Sequence, residues 1–130
     1  MIICVDGPNF SGKTTLLDKF KLLDNVIVID DNILNDYFKR TNDYFLARKK
    51  IQETYKFSEK NKIFIISRWI ATLLVFDYYP DITFNKLEEL IVPDYTIILN
   101  VKYEELIRRC KNRNGFVNRM EYHEQIKRYN

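Results

Sequence analysis

Glycine and proline are scarce in this 130-residue chain, at three each, which leaves no room for a flexible linker or a collagen-like repeat. Cys4 and Cys110, the two cysteines, form neither a disulfide framework nor a metal-ligand spacing, as in a reduced, cytoplasmic protein. The lone histidine, His123, has no partner at ligand spacing and reads as a surface residue of a charged segment. No apolar run approaches the roughly 18 residues of a membrane span, and no stretch has a signal-peptide pattern, so neither secretion nor a membrane span is expected. Charge is nearly balanced: 21 basic against 18 acidic residues leave +3, enough for anionic small molecules and too little to indicate a nucleic-acid partner. Core material is abundant. Hydrophobic residues make up 46% and aromatics 15%, with nine Phe and nine Tyr, which is globular composition for one domain spanning residues 1–130.

Along the chain, short apolar runs alternate with helical patterns. Met1–Val5, Val26–Ile29, Ile63–Ile66 and Tyr95–Val101 read as strands buried on both faces. Leu16, Leu17, Phe20 and Leu23 recur at helical spacing from Lys13 onward. Asp30-Asp31-Asn32 closes the second strand, and from there to Lys62 the pattern is helical and broken near Thr41-Asn42, either of which can cap the second helix. Further helices are expected at Trp69–Phe76, Phe84–Leu90, Tyr103–Asn112 and Asn118–Tyr129. Strands alternating with helices at this spacing predict right-handed βαβ units around a parallel sheet, an α/β fold.

Gly7-Pro8-Asn9-Phe10-Ser11-Gly12-Lys13-Thr14 fits G-x-x-x-x-G-K-[ST] in full, between a strand and a helix. The spacing has a physical cause. Glycines let the backbone curl so that successive N–H groups face phosphate oxygens above a helix N-terminus. Lys13 then reaches the outer phosphates and the Thr14 hydroxyl is placed to ligate Mg²⁺. Gly7, Asn9, Ser11, Gly12, Lys13, Thr14 and Thr15 are therefore the expected ATP-phosphate site.

With these residues, the sequence resembles the P-loop nucleoside-monophosphate kinases, in the thymidylate kinase and deoxynucleoside kinase group. The resemblance implies a P-loop NTPase fold, ATP and Mg²⁺ as cofactors, and phosphoryl transfer to a nucleotide or nucleoside, most nearly a deoxynucleoside monophosphate such as dTMP. It places Asn9 at the sugar hydroxyl, where the family often carries an acid. Tyr44-Phe45-Leu46-Ala47-Arg48 is similar to the family's F-x-x-x-R helix, whose aromatic stacks on the acceptor base while the arginine bonds its carbonyl. On residue grounds alone, a core stripe followed by a solvated arginine fits the same segment. Ser67-Arg68-Trp69-Ile70-Ala71-Thr72 resembles D-R-Y-x-x-S, which makes Arg68 the acceptor-phosphate arginine and adds Thr72 to the substrate site. Serine stands there for an acid. Three alternatives stand: Ser67 holds a weakly organising water, Asp6 or the Asp30-Asp31 pair substitutes, or transfer is lost; an aspartate restored at position 67 is expected to raise turnover.

Pro93-Asp94-Tyr95-Thr96-Ile97-Ile98-Leu99-Asn100-Val101 resembles P-D-x-x-x-x-L-D-V. The following arginines stand where the family closes a lid over donor phosphates, with Arg109 and Arg113 as first choices; a solvated helix face is the alternative. Asn118-Arg119-Met120-Glu121 is similar to D-R-x-E. The resemblance reaches Tyr129-Asn130 without the family's fifth strand and adenine-contacting loop, so a four-stranded sheet of order 2-3-1-4 is expected. The implied partners are ATP and a small nucleotide acceptor, and a homodimer is compatible with the family. Two rival functions remain: a nucleotide-binding regulatory protein with little or no transfer, and a polynucleotide 5′-end kinase, which would need a basic, aromatic-lined groove. Cys4 and Cys110 are read as packing residues, and Trp69 as either a pocket wall or a core anchor.

Overall fold

The computed structural model describes residues 1–8, 11–75 and 84–112. Asn9, Phe10, Arg113, the segment 118–129 with His123, and the side chain of Cys110 lie outside the described residues. The strands are β1 (Ile2–Asp6), β2 (Val26–Ile29), β3 (Ile63–Ser67) and β4 (Tyr95–Ile98). All pair in parallel, in the order β2-β3-β1-β4, as the family resemblance implied. The helices are α1 (Lys13–Phe20), α2 (Asp31–Thr41), α3 (Tyr44–Thr54), α4 (Ile70–Val75), α5 (Phe84–Leu87) and α6 (Tyr103–Asn112).

Side chains along a strand point alternately to opposite faces, and here both faces are covered. Cys4, Ile29, Phe64 and Ile66 pack with Leu34, Ala47, Ile51 and Leu73 of α2, α3 and α4. Val5 and Ile65 face the other way, against Leu17 of α1. Trp69 is fully buried, edge-on to Phe57, with Nε1 donating to the Ile91 carbonyl at 3.0 Å. It is a core anchor. Burial pushes the Cys4 thiol up to about 12, with the Asp6 charge adding to the effect, so Cys4 serves as a small apolar residue.

Three expectations need correcting. α3 ends at Thr54 and residues 55–62 form turns and coil, so the helical pattern stops short of Lys62. The break after α2 is capped by Asp43, whose Oδ1 accepts the Leu46 amide at 2.9 Å; Asn42 instead ends α2 in the left-handed conformation at φ 52°. Asparagine tolerates that geometry better than threonine, so the boundary falls one or two residues later than expected. The fourth strand is shorter than its apolar run, and all four of its residues are exposed, so it is not the strand buried on both faces that its sequence suggested; among the described residues it pairs with β1 alone. No helix among the described residues is long and apolar enough to cross a membrane.

Candidate functional site

The described site residues gather where β1 and β3 end and α1, α2 and α4 begin, at the carboxyl edge of the sheet, where parallel α/β sheets hold their ligands. Gly7 follows β1 at φ 139°, and a methyl group there would stand 2.6 Å from the Leu99 carbonyl oxygen. Only glycine fits so close to a neighbouring backbone at that angle. Gly12 (φ 96°) caps α1 with no side-chain hydrogen bond and no acid in the first turn, so the N-terminal end of α1 is electropositive. Thr14 and Thr15 are exposed on this turn, and Ser11 is buried.

Lys13 is buried at 5% exposure, its Nζ donating to the Gly7 and Pro8 carbonyls at 2.9 and 2.7 Å and to Ser11 Oγ at 3.3 Å. Burial first, and then the Arg68 charge, lower the ammonium to about 7 against the opposing charges of Asp31 and Asp6. The lysine is thus a poorly solvated cation that an anion would stabilise.

Beside it lie two carboxylates. Buried Asp6 accepts the Gly7 amide at 2.9 Å and the Thr72 hydroxyl at 2.6 Å on Oδ1, so Thr72 braces the acid at the end of β1. Asp31, the first residue of α2, accepts from Ser67 Oγ at 2.6 Å and from Arg68 Nε at 3.2 Å. An acid therefore does stand at the end of β3, supplied by α2 across 36 residues of sequence. Of the acids weighed from the sequence for this position, Asp31 accepts a hydrogen bond from Ser67.

Arg68 occupies the left-handed region at φ 56°, a conformation that costs a non-glycine residue on the order of 1–3 kcal/mol. Its amide donates to the Val5 carbonyl at 3.1 Å. Arg48 is 1% exposed, which excludes a solvated arginine; Nε, Nη1 and Nη2 all bond main-chain carbonyl oxygens, of Arg68 and Tyr44. Tyr44 stacks on Phe38, centroids 3.9 Å apart and planes at 10°. Arg109 reaches the loop between β1 and α1 from α6: a methyl group on Gly12 would stand 3.4 Å from its Nη1. Glu105, one turn earlier, holds Arg109 Nε at 3.0 Å and is also bonded by Arg108. These bonds, Arg108's foremost, hold the Glu105 carboxyl down at about 2. Glu105 escaped the sequence reading, although its i, i+4 spacing to Arg109 was the available signal.

No group of three metal-ligating side chains forms among the described residues. Mg²⁺ is commonly held by one or two protein oxygens together with nucleotide phosphates and water, and the exposed Thr14 hydroxyl and the Asp31 carboxylate are oxygens of that kind.

A phosphate-type loop between β1 and α1, on a parallel sheet of order 2-3-1-4 with helices on both faces, defines a P-loop NTPase α/β fold. Scans of protein-family models and of curated proteins return no match. Solved structures do match. A thymidylate kinase from Ehrlichia chaffeensis superposes with a TM-score of 0.53 at 21% identity, covering 98% of this chain and 97% of its own. A thymidylate kinase from Candida albicans gives 0.61 at 17% identity, covering 98% and 75%. Within P-loop proteins, the fold is that of the thymidylate kinases.

Proposed function

We propose that this protein is a cytoplasmic, Mg²⁺-dependent kinase that transfers the γ-phosphate of ATP to a small nucleotide, a deoxynucleoside monophosphate such as dTMP being the favoured acceptor. The convergence of Lys13, Arg68, Asp6 and Asp31 at one end of the sheet carries the reading. Two cations supply the charge for donor and acceptor phosphates, and two carboxylates supply acceptors for an attacking hydroxyl or hydrated cation. In this reading residues 1–130 act as one domain. Gly7, Asn9, Ser11, Gly12, Lys13, Thr14 and Thr15 embrace the donor phosphates, with Arg109 and Arg113 over them. Arg68 takes the acceptor phosphate, Thr72 steadies Asp6, and Tyr44 borders the acceptor base. Bound Mg²⁺ would neutralise phosphate charge, with Thr14 and Asp31 as its protein donors. Phosphoryl transfer asks mainly for positioning and electrostatic stabilisation, which such a cluster provides.

The engagement of Asp31 by Ser67 and Arg68 favours a second reading, a nucleotide-binding protein with little transfer, because a carboxylate whose two oxygens are already bonded has fewer lone pairs to offer a hydrated cation or an attacking hydroxyl. A coupled ADP-formation assay with nucleosides, monophosphates and oligonucleotides separates the two. Turnover with a deoxynucleoside monophosphate is expected. ATP binding without ADP from any acceptor would transfer the conclusion to the second reading.

A further inference from the structure

Arg68 is anchored at three places by three different elements. Its amide bonds the Val5 carbonyl of β1, its Nε bonds Asp31 of α2, and its own carbonyl oxygen receives both Nε and Nη2 of Arg48 from α3, at 3.0 and 2.7 Å. The third Arg48 bond, from Nη1 to the Tyr44 carbonyl at 2.9 Å, ties the guanidinium back to its own helix. A buried guanidinium is costly to desolvate, and here it is directed at main chain at the one left-handed arginine of the described residues. Left-handed φ is disfavoured by any residue bearing a Cβ, so Arg68 keeps it only while its flanking peptides are held. Return to ordinary φ would swing the Cα–Cβ bond and carry the guanidinium away from Asp31.

We infer that Arg48 is a positioning residue: its two-pronged grip on the Arg68 carbonyl locks the left-handed turn after β3 and so aims the Arg68 guanidinium at an acceptor phosphate. The identity of that ligand rests on the proposed function; the grip itself does not. Arg48 then governs phosphate capture for every acceptor alike, whereas an arginine reading a base would govern only acceptors whose base offers a carbonyl.

The test uses ¹⁵N-labelled full-length Arg48→Met, observing the side-chain Nε–H resonances of Arg68 and Arg109 and titrating ATP and nucleoside monophosphates with different bases. The Arg68 resonance should broaden or move to the free-arginine position while that of Arg109 stays. Monophosphate dissociation constants should rise by a common factor of about tenfold, the scale of one charge-assisted hydrogen bond, with ATP changing less than about twofold. Arg48→Lys, which keeps one charged donor, should recover part of both effects and carries the same measurements if the Met variant does not fold. An unmoved Arg68 resonance, a loss confined to one base, or an equal loss for ATP overturns the inference. Absence of monophosphate binding in the wild type would instead sink the functional reading, and the Arg68 resonance would still decide the role of Arg48.

Discussion

Lys13 is an ionisable group held almost out of water, and this makes it a pH-sensitive residue of the fold. Burial and the Arg68 charge place its folded value at about 7, whereas an unfolded lysine titrates at roughly 10.4. Between those values the unfolded chain binds more protons than the folded one, so this lysine makes stability climb as pH rises from 7 towards 10. Lys13→Met should flatten the climb by at most about 1.4 kcal/mol per pH unit, measured by urea unfolding at pH 7 and pH 9. Equal slopes in the two proteins would exclude Lys13 as the responsible group. The same substitution should abolish transfer, since it removes the cation of the phosphate loop. Ser67 carries the opposite lesson. Its hydroxyl donates to Asp31 at 2.6 Å, so Ser67→Asp would set two carboxylates against each other instead of restoring a family acid. The gain expected from sequence is thereby reversed: turnover and thermal stability at pH 8 should both fall. A faster Ser67→Asp enzyme would show that Asp31 does not occupy the position of the acid.

Two helices present site residues from their first turns, and each is started by an aspartate. Asp30 accepts the Ile33 amide at 3.0 Å and opens α2, which carries Asp31; Asp43 accepts the Leu46 amide and opens α3, which carries Tyr44 and Arg48. Partial burial works to raise the Asp30 carboxyl, but bonds from Lys21 and the Ile33 amide outweigh it and hold the group below its ordinary value. Loss of such a cap typically costs about 1 kcal/mol. Asp43→Ala should therefore lower the urea midpoint by an amount corresponding to about 1 kcal/mol, and Asp30→Ala by at least as much. If Asp30→Ala leaves the midpoint unchanged, the capping of α2 is not what holds Asp31 in place. Helix spacing, strand runs and acidic caps are properties of adjacent residues, which is why the elements were legible. Asp43 was overlooked because Thr41 and Asn42, both good caps, precede it; the left-handed turn at Asn42 settles which one starts the helix.

At the scale of the whole molecule, Arg68 joins β1, α2 and α3, and the two halves of the proposed site should respond to its loss unequally. Arg68→Ala should weaken monophosphate binding by about tenfold or more while the ATP dissociation constant moves little, both measured by calorimetry. A collapse of ATP affinity with acceptor affinity intact would reverse the assignment. Apolar runs, helical periodicity and the glycine-bounded loop each lie within a dozen neighbouring residues, so fold class, strand order through the family resemblance, and the place of the loop between β1 and α1 could be read from the chain alone. The partners of the site could not. Ser67 meets Asp31, Arg48 meets Arg68 and Thr72 meets Asp6 across 36, 20 and 66 residues, and each pairing exists because parallel strands end together at one edge of the sheet. Register and strand order decide which side chains share that edge. A carboxylate on α2 can thus serve the end of β3, and an arginine that looked free to meet a base is buried against a carbonyl, with nothing in the local sequence of either to announce it.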